Sequence, residues 1–163
     1  MEIKVMKFGG SSLADAEHFR RVADIVKTDP TRRYVVASAP GKRYSTDEKV
    51  TDMFYTCYNM IKNREDITEY YKKIIDRYTS IISELGISFD ISGELEYIKN
   101  AMMLRSGRDF AASRGEYLNI SYVFSMSVFL SEASFESGTP DLYFGILVSY
   151  LLLVVLIFHA WPL

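Results

Sequence analysis

The sequence predicts an α/β protein in which parallel strands are joined by helices and helices outnumber strands. Three observations carry this. A short apolar strand near the N-terminus runs into a glycine turn and a helix. A second, nearly continuous apolar run stops at Pro40-Gly41. Segments with apolar residues at helical spacing then follow one another to about residue 120. With 163 residues the chain makes at most one domain, long enough for a real core.

The first strand is read from Ile3, Lys4, Val5, Met6, Lys7 and Phe8. Gly9-Gly10 permits a tight turn and a close backbone approach. Ser11 and Ser12 are good N-cap residues for a helix from Leu13, whose Phe19, Val22, Ala23 and Val26 share a face. Tyr34–Ala39, "YVVASA", reads as a strand buried in a parallel sheet. Pro40-Gly41 ends it, and a polar, basic loop leads to a helix over Lys49–Lys62, with Val50, Phe54, Cys57 and Ile61 inward. After "NRED", Ile67–Leu85 forms an amphipathic helix with Ile67, Tyr70, Tyr71, Ile74, Tyr78, Ile81, Ile82 and Leu85 on one stripe. Gly86 is its C-cap. A further helix runs from Ser92 to about Arg105, with Leu95, Ile98 and Met102 inward. "SGRD" breaks it, and Asp109 caps a helix carrying "FAASRGEYLN".

Composition narrows the function classes. The net charge of -2 argues against a nucleic-acid partner held by charge. A single cysteine excludes an internal disulfide and any multi-cysteine metal site, and Cys57 on an apolar stripe reads as core. His18 and His159 stand far apart with no ligand cluster around either, so no metal site is expected. "MEIKVMKFGG" has no apolar signal-peptide core, and the start reads as cytoplasmic.

Ligands of open parallel sheets bind at the carboxyl ends of the strands. The two strand ends here are "KFGGSS" and "ASAPGKR", each with glycine, small residues and a cation. Backbone N–H groups, a helix start and a lysine together suit a phosphate. Alone, Gly-Gly-Ser-Ser between strand and helix reads as an ordinary turn, and it matches neither the Walker loop nor the dinucleotide fingerprint. Two such loops at one sheet edge say more than either does. Alone, Lys42 and Arg43 are plain loop charges, and Thr51 and Glu116 are surface residues of helices.

Taken in order, Lys7-Phe8-Gly9-Gly10-Ser11-Ser12, "SAPGKR" with "KVTD" at Lys49–Asp52, and "SRGE" at Ser113–Glu116 resemble the aspartokinases of the amino acid kinase family. The family signature has threonine where this chain has Ser11, which keeps the hydroxyl. The resemblance implies the three-layer α/β/α fold with a parallel sheet, present here only as its N-terminal portion over residues 1–120. It implies transfer of the ATP γ-phosphate to the β-carboxylate of L-aspartate, with Mg2+ bound to the ATP. Lys7 would neutralise the transferring phosphoryl group, and Gly9, Gly10 and Ser11 would hold phosphate oxygens. Thr51 would contact aspartate, Glu116 would pair with its α-ammonium, and Arg114 would hold that segment or touch substrate. The parent enzyme is expected to be a homo-oligomer. "SRGE" and "KVTD" argue against a relative acting on glutamate, carbamate or a nucleotide.

The family's later glycine-rich segment, which completes the active site, is not recognisable, so this chain alone is expected to be inactive. Every Lys and Arg lies at or before Arg114, and after Ile120 the only charges are Glu132, Glu136 and Asp141. Residues 121–163 therefore read as a divergent apolar tail ending in an apolar helix. A shifted reading frame explains it, because codons with uridine at the second position all encode apolar residues. A transmembrane helix over 142–161 also explains it, at about the roughly 20 residues that span a bilayer. That would make the chain a membrane-associated, catalytically inert binding fragment. An anchor ordinarily carries Lys or Arg on its cytoplasmic flank. This tail carries none, which favours the shifted frame.

Overall fold

The computed structural model describes residues 3–104, 107–119 and 121, without the side chain of Arg33. The expected tail over 121–163, with its helix at 142–161, lies outside the described residues beyond Ser121. Strand β1 (Lys4–Phe8) is followed by a 3-10 turn (Gly10–Leu13), helix α1 (Ala16–Lys27) and strand β2 (Arg32–Ala37). Helices α2 (Val50–Lys62), α3 (Thr68–Leu85) and α4 (Ser92–Met103) come next, and a helix α5 covers 108–119. The strands pair in parallel with Lys7 opposite Val36 and Phe8 opposite Ala37. The expected parallel β-α-β unit is present.

Several boundaries move, each for a local reason. The first long helix starts at Ala16 rather than Leu13, because Asp15 and not a serine caps it: the Asp15 carboxylate accepts the His18 N–H at 3.0 Å. Ser11 and Ser12 belong to the 3-10 turn, which drives Leu13 into the core. Strand β2 ends at Ala37, leaving Ser38 and Ala39 free to shape the loop beyond it. Asp109 is not the cap of α5. It lies inside the first turn, where a carboxylate still favours the positive helix end. Gly86 closes α3 in the left-handed conformation at φ 70°, as its position predicts.

The core joins one sheet face to the helices. Phe8 and Ala37 are buried with Leu13, Phe19 and Val22, and with Phe54, Tyr71, Ile74, Tyr78 and Ile98 from α2, α3 and α4. Cys57 is fully buried among them. Partners on parallel strands share a face, so Met6, Phe8, Val35 and Ala37 turn toward this core. The other face is open: Val5 is 66% and Val36 44% exposed, and Lys7 stands between them in register with Val36. The "YVVASA" run is therefore not buried on both sides as its composition suggests. Parallel sheets are ordinarily covered on both faces, and the described residues cover one.

Candidate active site

The two strand ends meet through their backbones. The Phe8 carbonyl accepts the Ser38 N–H at 3.1 Å, and the Gly10 carbonyl accepts the Gly41 N–H at 2.8 Å. This contact requires glycine on both sides. A Cβ on Gly10 would lie 2.8 Å from the Ala39 carbonyl oxygen, and one on Gly41 would lie 2.5 Å from the Gly10 carbonyl carbon. The third motif enters by the same device. A Cβ on Gly115 would lie 2.7 Å from that of Ala39, so glycine lets α5 press onto the second loop. The Tyr78 hydroxyl fixes it there by donating to the Gly115 carbonyl at 2.8 Å.

The result is a cleft of about 500 Å³ at the carboxyl ends of β1 and β2. Gly10 and Ser11 from the first loop and Ser38 to Lys42 from the second form one part of its wall. Lys49 and Thr51 at the start of α2, and Glu116 on α5, form the other. Residues more than a hundred positions apart in sequence thus share one wall. Of the residues singled out from sequence, Gly10, Ser11, Thr51 and Glu116 are brought together. Lys7 is not part of the wall, but its charge reaches Glu116. Partial burial pushes the Glu116 carboxyl above its ordinary range, and Lys7 pulls it partly back. Gly9 precedes the 3-10 turn in extended conformation and touches nothing that a Cβ would meet.

Arg114 lies elsewhere. It is buried with its guanidinium 4.2 Å from the Phe110 ring centre and 5.0 Å from that of Tyr117. Nη2 donates to the Ser113 hydroxyl at 3.0 Å, and Nε finds no acceptor among the described residues. His18 is occupied by Asp15, whose carboxylate lies 2.8 Å from Nδ1.

Behind the second loop stands a buried ionic network that the sequence reading did not find. Arg77 of α3, only 3% exposed, donates Nη1 to the Gly41 carbonyl at 2.9 Å and Nη2 to Asp47 at 2.7 Å. Nη2 also reaches the Glu48 carbonyl at 3.3 Å. Arg43, expected to be a plain loop charge, instead grips the same Asp47 carboxylate, donating Nε to Oδ2 at 2.8 Å and Nη2 to Oδ1 at 3.0 Å. These bonds, those of Arg43 first, hold the Asp47 carboxyl well below the usual carboxylate range. The available signal was Arg77 itself, a charge set between Ile74, Tyr78 and Ile81 on an apolar helical stripe.

A parallel α/β unit with two glycine-hinged strand-end loops, lysines and one carboxylate around a common cleft has the make-up of a site for an anion that also carries an ammonium. The comparisons with known proteins find similarity to aspartokinases. The chain is 42% identical to aspartokinase 3 of Bacillus subtilis over 89 residues, 55% of this chain and 20% of that protein. The crystal structure of the Clostridium acetobutylicum aspartate kinase superposes with a TM-score of 0.75 at 44% identity, over 77% of this chain and 29% of that one. Escherichia coli aspartokinase III, solved in complex with aspartate and ADP, superposes with a TM-score of 0.56 at 28% identity, over 73% of this chain and 27% of that one. No family model matches the sequence. The similarity to the aspartokinases runs through about residue 120, and the chain spans between a fifth and a third of the length of these relatives.

Proposed function

We propose that residues 1–120 are the N-terminal part of an aspartate kinase catalytic domain, which transfers the γ-phosphate of ATP to the β-carboxylate of L-aspartate. The observation that carries this reading is the convergence of Gly10, Ser11, Lys42, Lys49 and Thr51 with Glu116 on one cleft. Two anions, a carboxylate and a polyphosphate, must meet for this reaction. Catalysis of such a step is mostly positioning and charge neutralisation. Gly10 and Ser11 bring the first strand-end loop to the cleft wall, where a phosphate has to approach. Lys7 on β1, with Lys42 and Lys49 on the wall, supplies cations to lower the repulsion between the reactants. Glu116 pairs with the α-ammonium of aspartate, and Thr51 orients the substrate beside it. Mg2+ enters as part of the MgATP substrate and screens the phosphate oxygens. Arg114, outside the cleft wall, supports the "SRGE" segment and does not touch substrate. The assembled parent enzyme is taken to be a cytoplasmic homo-oligomer, and residues 121–163 a tail foreign to the catalytic domain.

A chimera tests the reading. Residues 1–119 are joined to the remaining length of the Bacillus subtilis aspartokinase 3, and β-aspartyl phosphate is trapped with hydroxylamine. The expected result is hydroxamate formation that falls by about 10² to 10³ in Lys7→Ala, the usual scale for losing one charge-stabilising donor. A folded chimera with no turnover, or one indifferent to Lys7→Ala, overturns it.

A further inference from the structure

We infer that Arg77 is the positioning residue of the cleft: from α3 it fixes the second strand-end loop, and with it the two lysines of the wall. The inference rests on the reading of the cleft as a phosphate site. The Gly41 carbonyl belongs to the peptide that joins Gly41 to Lys42, and the Glu48 carbonyl to the peptide that joins Glu48 to Lys49. Arg77 donates to both carbonyls, so each wall lysine is attached directly to a peptide unit that this one guanidinium holds. Gly41 in turn donates its N–H to Gly10, which ties the held loop to the first one. The loop between the two anchors is drawn inward by Asp47, which Arg77 and Arg43 bind together. Only a forked, planar donor spans two carbonyls and a carboxylate in this way. The width of the gap between Gly10 and the lysines is thereby set from behind, by a side chain 3% exposed that takes no part in lining the cleft.

Amide exchange and anion titration of the 15N-labelled full chain test this together, with inorganic tripolyphosphate as the probe. Arg77→Met is expected to speed exchange at Gly41 at least about tenfold, leave the amides of α3 protected, and weaken tripolyphosphate binding at least about tenfold. Arg77→Lys keeps the charge but not the fork, so it is expected to change both in the same direction by less. It carries the test if Arg77→Met does not fold. Unchanged anion affinity in a folded variant, with faster exchange at Gly41, would show that the residue only braces the fold and would overturn the inference. So would unchanged exchange at Gly41. Failure of the wild-type chain to bind tripolyphosphate would overturn the phosphate reading and this inference with it. Faster exchange at Gly41 in the variants would then mark Arg77 as a loop brace only.

Discussion

Gly41 donates its backbone N–H to the carbonyl of Gly10 at 2.8 Å, and with the Ser38 N–H on the Phe8 carbonyl this bond joins the ends of the two strands into a single wall. Neither residue has room for a side chain. Gly41→Ala places a carbon 2.5 to 2.8 Å from three backbone atoms of Gly10 and Ser11. Backbone does not give way as a side-chain tip does, so the expected cost is about 1–3 kcal/mol. Gly9→Ala meets nothing within 4 Å. Its backbone is extended at φ -75°, so it is expected to be neutral or stabilising by up to about 1 kcal/mol. Urea unfolding of both variants checks this, and equal destabilisation would contradict the cross-loop contact.

Asp47 makes the second loop sensitive to acid. Its folded carboxyl is held below the unfolded value, chiefly by Arg43, so its contribution is present above the ordinary carboxylate range. That contribution is lost as pH falls through the depressed folded value. Wild type is expected to be more stable than Asp47→Asn at pH 7, with the difference shrinking as the pH is lowered from about 4. Chemical denaturation at several pH values measures it. A difference independent of pH would mean that the carboxylate is not ionised against the two arginines.

Much of the fold was legible because it rests on periodicity. The stripe Ile67, Tyr71, Ile74, Tyr78, Ile81, Ile82 describes α3 to within a residue of its start, and Gly86 marks its end. Burial of β2 was overread, because a run of Tyr, Val and Val has the same composition whether one face or both are covered. The cleft residues were legible only as an ordered set of motifs. The network behind them was not, because Asp47 and Arg77 are 30 positions apart and only the folded chain brings them to 2.7 Å. Asp15 shows the same limit on a smaller scale: two serines nearby are as good a cap by residue type, and the 3-10 turn decided between them.

Cys57 reports on the core. Burial pushes its thiol up to about 12, and the residue is fully enclosed. The thiolate is the reactive form. A disulfide reagent at pH 8 is therefore expected to label the native chain only as fast as it unfolds, and immediately in denaturant. Rapid labelling of the folded protein would contradict the packing of α2 against α3.

The electrostatic link between Lys7 and Glu116 can be read directly. Lys7 lowers the Glu116 carboxyl against the upward push of burial. Lys7→Met is therefore expected to raise the Glu116 pKa further, seen as a shift of its side-chain carboxyl titration by NMR. An unmoved titration would separate the lysine from the cleft and leave the catalytic role assigned to it without a physical basis.

The most direct test of the account asks whether the cleft recognises an amino acid by its ammonium group. Succinate carries the two carboxylates of L-aspartate and lacks only that group, so comparing the two in titrations of the chain isolates the Glu116 contact. A charge-assisted bond is worth roughly 1.5–3 kcal/mol. Aspartate is therefore expected to bind about tenfold to more than a hundredfold tighter than succinate, with the preference lost in Glu116→Gln and fading as pH falls through the raised Glu116 titration. Equal binding of the two ligands by the wild-type chain, or a preference that survives in Glu116→Gln, would contradict the assignment of this cleft to aspartate.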